Sequence, residues 1–183
     1  MTTTRPVAGC RRLPRAAVAR CPDATRPPAA HTDAELRRLV QLLKQAEVQT
    51  VAIGRGRHPA SAAAAQALNA AWLAEDGSVL TIADWSADAA SWLRPARRLT
   101  AGHPDAWVLA DTPASCAQLT GRLSDQPSWT AARTFGFASL ASPDLITLTL
   151  PGALTGMTGA TSTGGSWRIG RGLLTVTDEP AST

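Results

Sequence analysis

Short apolar runs alternate with helix-length segments along the middle of this chain. Val51-Ala52-Ile53 has no polar alternation, as expected of a strand covered on both faces, and Val79-Leu80-Thr81-Ile82 and Ala106-Trp107-Val108-Leu109-Ala110 follow at similar intervals. Between the first two lies a segment, Ala60 to Ala74, with Ala65, Leu68 and Trp72 on one stripe; Asp76-Gly77 ends it. Between the second and third, about Asp88 to Thr100, Trp92, Leu93, Ala96 and Leu99 share a face, and Pro95 requires either a helix start or a bend. Strands that alternate with helices make right-handed βαβ crossovers and hence a parallel sheet.

The flanks extend this pattern. Thr32-Asp33-Ala34-Glu35 is a capping box, and Leu36, Leu39, Val40 and Leu43 after it form one face of an amphipathic helix. Thr112-Pro113 starts a helix over Ala114 to Leu123, Gln126-Pro127-Ser128 breaks the chain, and a fourth strand is expected over Arg133 to Ala138. Ser142-Pro143-Asp144 resembles a helix start, but Ile146, Leu148 and Leu150 alternate with threonines, which favours a strand. Pro151 to Gly165 reads as loop, and Trp167 to Thr177 as a final short strand or hairpin. The fold predicted is α/β and three-layered: a mostly parallel sheet of four or five strands with helices on both faces.

A length of 183 residues suits one domain with a sizeable core. Residues 1–31 read as a disordered, basic, proline-rich tail, 32–177 as a single α/β domain, and 178–183 as a frayed end. The formal charge of +4 resides in that tail, where six arginines face one acid, Asp23, leaving the rest near −1. The predicted domain therefore has no basic excess, and no nucleic-acid partner is expected. Cys10, Cys21 and Cys116 have no metal-ligand spacing and suggest no disulfide framework. No apolar run approaches the roughly 18 residues of a membrane span. Val7-Ala8-Gly9-Cys10 matches the pattern before a lipidated cysteine, but no apolar segment precedes it. As written the chain reads as cytoplasmic.

In a parallel sheet the chemistry is expected at the carboxyl ends of the strands. Gly54-x-Gly56-x-x-Pro59 occupies the place of a dinucleotide fingerprint but lacks its third glycine. It is either a flexible turn with solvated arginines or an anion site built from the amides of Arg57 to Ser61. Gly159 to Ser166 has phosphate-loop spacing with Gly165 where the lysine must stand, and is rejected. Asp84 and Asp111 could converge on an amine or a metal, or serve only as turn residues. His58 and His103 each precede a proline, with no nucleophile or ligand cluster paired to them, so no catalytic residue, metal or cofactor is assigned. Of six tryptophans, Trp72, Trp92 and Trp107 are expected in the core and Trp85 in a ligand cleft, where an indole face suits an apolar or sugar ligand.

The succession Thr50-Val-Ala-Ile-Gly54, Gly77-Ser-Val-Leu-Thr-Ile-Ala-Asp-Trp85 and Arg98-Leu-Thr-Ala-Gly-His-Pro-Asp-Ala-Trp-Val-Leu-Ala-Asp-Thr112 resembles the second lobe of type I periplasmic binding proteins. The branched-chain amino acid receptors of ABC transporters are the nearest in pattern, over about residues 33–160. The resemblance implies a non-enzymatic lobe that binds a small polar solute such as an amino acid and works with a first lobe and an ABC permease outside the cytoplasm. Carried over, the ligand-binding positions are Arg57 and His58 after the first strand, Trp85 after the second, Asp111 and Thr112 after the third, and Ser139 after the fourth. Such receptors have two lobes and roughly twice this length, so the expectation is a truncated member. Arg57-His58-Pro59 stands where the family often has a tyrosine or an acid. The alternatives are a small nucleotide-binding, Rossmann-like enzyme using the Gly54 to Pro59 turn, and a cytoplasmic sensor of the repressor-effector type.

Overall fold

The structure, a computed structural model, describes residues 13–89 and 91–178. The βαβ succession is present as β1 (Thr50–Gly56), α3 (Pro59–Ala74), β2 (Ser78–Trp85), α4 (Leu93–Thr100) and β3 (Ala106–Ala110). Two short helices precede it, α1 (Arg15–Ala19) and the longer α2 (Asp33–Gln45). After it come α5 (Pro113–Leu123), β4 (Thr134–Gly136), α6 (Pro143–Thr147), β5 (Thr158–Ala160), β6 (Ser166–Gly170) and β7 (Leu173–Thr177).

One sheet runs β2-β1-β3-β4-β5-β6-β7. Neighbours from β2 to β5 are parallel, while β6 and β7 are antiparallel. Val51, Ile53, Val108 and Phe135 face one core with Leu39, Leu43, Leu68 and Trp72 of α2 and α3. Ala52, Trp107 and Leu109 face the other, with Leu99 of α4 and Leu119 of α5. All of β3 is buried, which is why its sequence shows no alternation. Trp72, Trp92 and Trp107 are buried as expected. Pro95 causes no bend: α4 begins at Leu93, so the proline sits in the first turn, where its missing amide has no partner to lose.

Seven strands exceed the four or five expected, and the surplus has identifiable causes. The Gly and Thr stretch read as loop contains β5. Gly136 and Gly159 lie against the indole of Trp167, and a Cβ at either would overlap that ring. The glycines permit close packing in the interior and do not signal a loop. Trp167 to Thr177 is a complete hairpin, turning at Arg171 and Gly172, both with positive φ, the signature of a tight primed turn.

The strand expected over Ile146 to Leu150 is instead helix α6 and its exit. Ser142 accepts a bond from Asp144 N and Pro143 occupies the first helical position, so local capping outweighs the alternation.

The disordered tail expected over 1–31 is also corrected where it is described. Pro14 and Pro22 open a helix and a 3-10 turn (Pro22–Thr25) in place of the expected disorder. Cys21 and Ala24 are buried in the core beneath α5 and α6. The chain then crosses the carboxyl rim of the sheet over Pro28 to His31 and enters α2 on the opposite face. Residues 1–12, and all but Asp178 of the expected frayed end, lie outside the described residues.

Candidate functional site

At the carboxyl rim, β1 and β2 are in register with Arg55 opposite Asp84 and Gly56 opposite Trp85. Arg57 is exposed and its Nε donates to Asp84 Oδ2 at 2.9 Å. That bond holds the Asp84 carboxyl below its ordinary range.

Trp85 passes over β1 toward β3. Its Nε1 donates to Asp111 Oδ2 and to Ser115 Oγ, each at 2.8 Å. Trp85 and Asp111 are 2% and 1% exposed, so neither offers a surface to a solute; the expected indole platform is a buried clamp between strand ends. Burial pushes the Asp111 carboxyl up, opposed by bonds from Ser115, Thr112 and Trp85. The clamp accounts for Gly54-x-Gly56. A Cβ on Gly54 would meet Leu109 and the Trp85 ring, and one on Gly56 would overlap the Asp111 carboxyl. Packing requires these glycines, and the dinucleotide fingerprint has no support here.

The remaining expected site residues divide in the same way. Thr112 is buried and caps α5 by accepting from Ser115 N. His58 is the residue before α3, and its side chain makes no cap bond. Ser139 reaches the rim, its Oγ donating to Asp111 O at 2.9 Å.

Ser139 also lines a cleft of about 220 Å³ at the rim, between α2 and the start of α3, roofed by Pro28 to His31 and Ser162. Of the other polar residues here, Ser61 ends the Arg57 to Ser61 turn that the sequence offers as a possible anion site, while His31 and Glu35 carry no site signal in the sequence. Glu35, 3% exposed, accepts bonds from Thr32 N and Ala138 N, so the capping acid of α2 also fixes the loop after β4. Burial raises its pKa, opposed by those two backbone bonds and by His31. His31 stacks edge-on against Phe137 with ring centroids 6.3 Å apart, and its Nδ1 is buried without a partner. Ser61, 1% exposed, has an equally unpartnered Oγ. A wider hollow of about 460 Å³ lies along α4, but that helix and its flanks alone bound it, so it encloses nothing. Among the described residues no three His, Cys, Asp or Glu gather as a metal site, and no helix is long and apolar enough to cross a membrane.

A mostly parallel sheet with helices on both faces and a polar cleft at its carboxyl rim is an open α/β architecture that can take a ligand at that rim, and it is the fold of periplasmic-binding-protein lobes. Solved structures share it. A substrate-binding periplasmic protein from Ralstonia solanacearum aligns over 75% of this chain and 39% of its own, with TM-score 0.63 and 15% identity. A branched-chain amino acid ABC transporter periplasmic ligand-binding protein from Burkholderia xenovorans aligns over 70% and 34%, with TM-score 0.60 and 14% identity. An extracellular ligand-binding receptor from Verminephrobacter eiseniae aligns over 68% and 35%, with TM-score 0.56 and 14% identity. The chain thus spans little more than a third of the structures it resembles. No family model matches the sequence, and no curated protein matches it.

Proposed function

We propose that this chain is a non-enzymatic solute-binding lobe of the ABC-transporter receptor type, holding a small polar solute such as an amino acid. The observation that carries the reading is the rim cleft, where the buried His31 Nδ1 and Ser61 Oγ lack partners. A buried polar atom without a partner costs about 1–3 kcal/mol, which a solute's hydrogen bonds would recover. Ser139 contributes from the cleft wall, whereas Arg57 and His58, just ahead of α3, are not among the residues that line it. Trp85, Asp111 and Thr112 act one layer below, keeping the ends of β2 and β3 and the start of α5 in place. The fold relatives support an extracytoplasmic setting, with a companion lobe and an ABC permease as partners.

Thermal unfolding against amino acids, sugars and nucleotides tests this. A solute at a hundredfold its dissociation constant adds about 2.7 kcal/mol of stability. Stabilisation by an amino acid or sugar supports the lobe; stabilisation by NAD or ATP alone overturns it in favour of a nucleotide enzyme.

A further inference from the structure

The sheet ends in two edge strands that are built differently. β2 carries the devices that keep an edge from pairing. Its register slips against β1 between Val51 and Ala52, Arg98 Nη2 donates to the Ile82 carbonyl at 3.2 Å, and Asp84 near its end is ion-paired with Arg57. β7 has none of them. Leu173-Leu174-Thr175-Val176-Thr177 holds no charge and no proline, pairs with β6 without a bulge, and leaves Leu173 70% and Val176 51% exposed. Among the described residues no strand lies on its outer side. The directions of its backbone groups follow from the ladder beside it. Ile169 N donates to Met157 O, and Ile169 O accepts from Gly156 N, both toward β5. Directions alternate along a strand, so Ser166, Arg168 and Gly170 turn theirs toward Thr177, Thr175 and Leu173. The N–H and C=O groups of Leu174 and Val176 therefore point outward.

We propose that β7 pairs antiparallel with β7 of a second copy of this chain, about a two-fold axis at Thr175, joining the two sheets into one. In this register Leu174 stands opposite Val176 of the second copy, and the reverse, so the outward groups of both residues in both copies are satisfied together. Leu174 and Val176 share the face of their β6 partners Ile169 and Trp167, which adds two apolar cross-strand pairs there, while Thr175 meets Thr175 on the other face. The ends are complementary in charge. Asp178 of one copy comes opposite Gly172 of the other, next to Arg171. A head-to-tail contact would need the guarded β2 edge, whereas the two-fold contact uses both unguarded edges and closes. The inference is independent of the solute-binding reading.

Sedimentation velocity on the full chain, from about 1 to about 300 µM, tests it, because an edge contact of this size makes a weak, concentration-dependent dimer. The mass is expected to rise toward twice the 19.0 kDa of the chain. Thr175 is exposed, so Thr175→Lys and Thr175→Glu should fold, checked by circular dichroism. Each puts like charges face to face across the axis and should weaken the dimer on the order of 10-fold. Mixing the two variants puts opposite charges there and should restore it. Leu80→Lys, on the β2 edge, should leave the mass unchanged.

A monomer at every concentration would overturn the proposal, and so would open polymers larger than a dimer. A dimer that neither Thr175 variant weakens, that their mixture does not restore, or that Leu80→Lys abolishes would place the contact elsewhere and overturn the β7 assignment.

Discussion

Trp85 Nε1 donates to Asp111 Oδ2 at 2.8 Å, joining the ends of β2 and β3 across the β1 strand that separates them in the sheet. The bond is out of water, and Ser115 Oγ takes a share of the same indole proton. One hydrogen bond thereby fixes the height of three strand ends at the rim. Trp85→Phe retains most of the ring but leaves the carboxylate with one donor fewer. A loss of about 2 kcal/mol in urea unfolding is expected; a change within ~0.5 kcal/mol would show that the clamp does not hold the rim.

Gly56 is the space through which that clamp passes. An alanine there would put its Cβ into the Asp111 carboxyl, itself 1% exposed and enclosed by Trp85 and Ser115. Gly56→Ala should cost about 3 kcal/mol or more, and the double variant with Asp111→Ala should cost less than the two singles added. Simple additivity in denaturant melts would refute the steric account.

Asp111 also sets a pH dependence. Its folded pKa is raised above the ordinary 3.8 by burial, so the native state holds a proton that the unfolded chain releases. Stability from this group is therefore full below about 3.8 and is lost as pH rises through the raised value. Glu35 acts with the same sign. Asp84 and Asp105, lowered by bonds from Arg57 and from Thr50, act oppositely and lose their contribution as pH falls through their depressed values. Asp111→Asn keeps an acceptor for Trp85 and removes the charge. Its stability relative to the parent should increase with rising pH across the window above 3.8, measured by unfolding at several pH values. A constant difference would contradict the assignment.

The segment before α2 is a structural part of the domain, with Cys21 and Ala24 packed in its core. Ala24 is fully buried beneath α5 and α6. Ala24→Asp would place an unpaired charge there and should cost about 3 kcal/mol or more in a thermal or urea melt. A solvated tail would tolerate the change within ~0.5 kcal/mol.

What could be read in advance was whatever depends on neighbours in the chain. The capping box at Thr32 and Glu35, the unalternating β1 and β3, the stripe of α3 and the start of α5 at Thr112 all state their own conformation through spacing and side-chain chemistry. Elements whose identity rests on distant partners carry no such local signal. β5 is a strand because Trp167 fills the space above Gly159, and the prolines of the early segment open helical turns that only burial against α5 makes worthwhile.

The candidate site divides along the same line. The order of strands and helices from α2 to β4, and so the rim where a cleft must form, belonged to the sequence alone, because hydrophobic period and capping are local. Tertiary structure decided which rim residues meet. It turned Trp85 inward onto Asp111, and it brought His31, Glu35 and Ser61, from the roof and from two helices, around one small cavity with Ser139. The reason is physical: a buried donor or acceptor is defined by what surrounds it in space, and chain order does not record those distances.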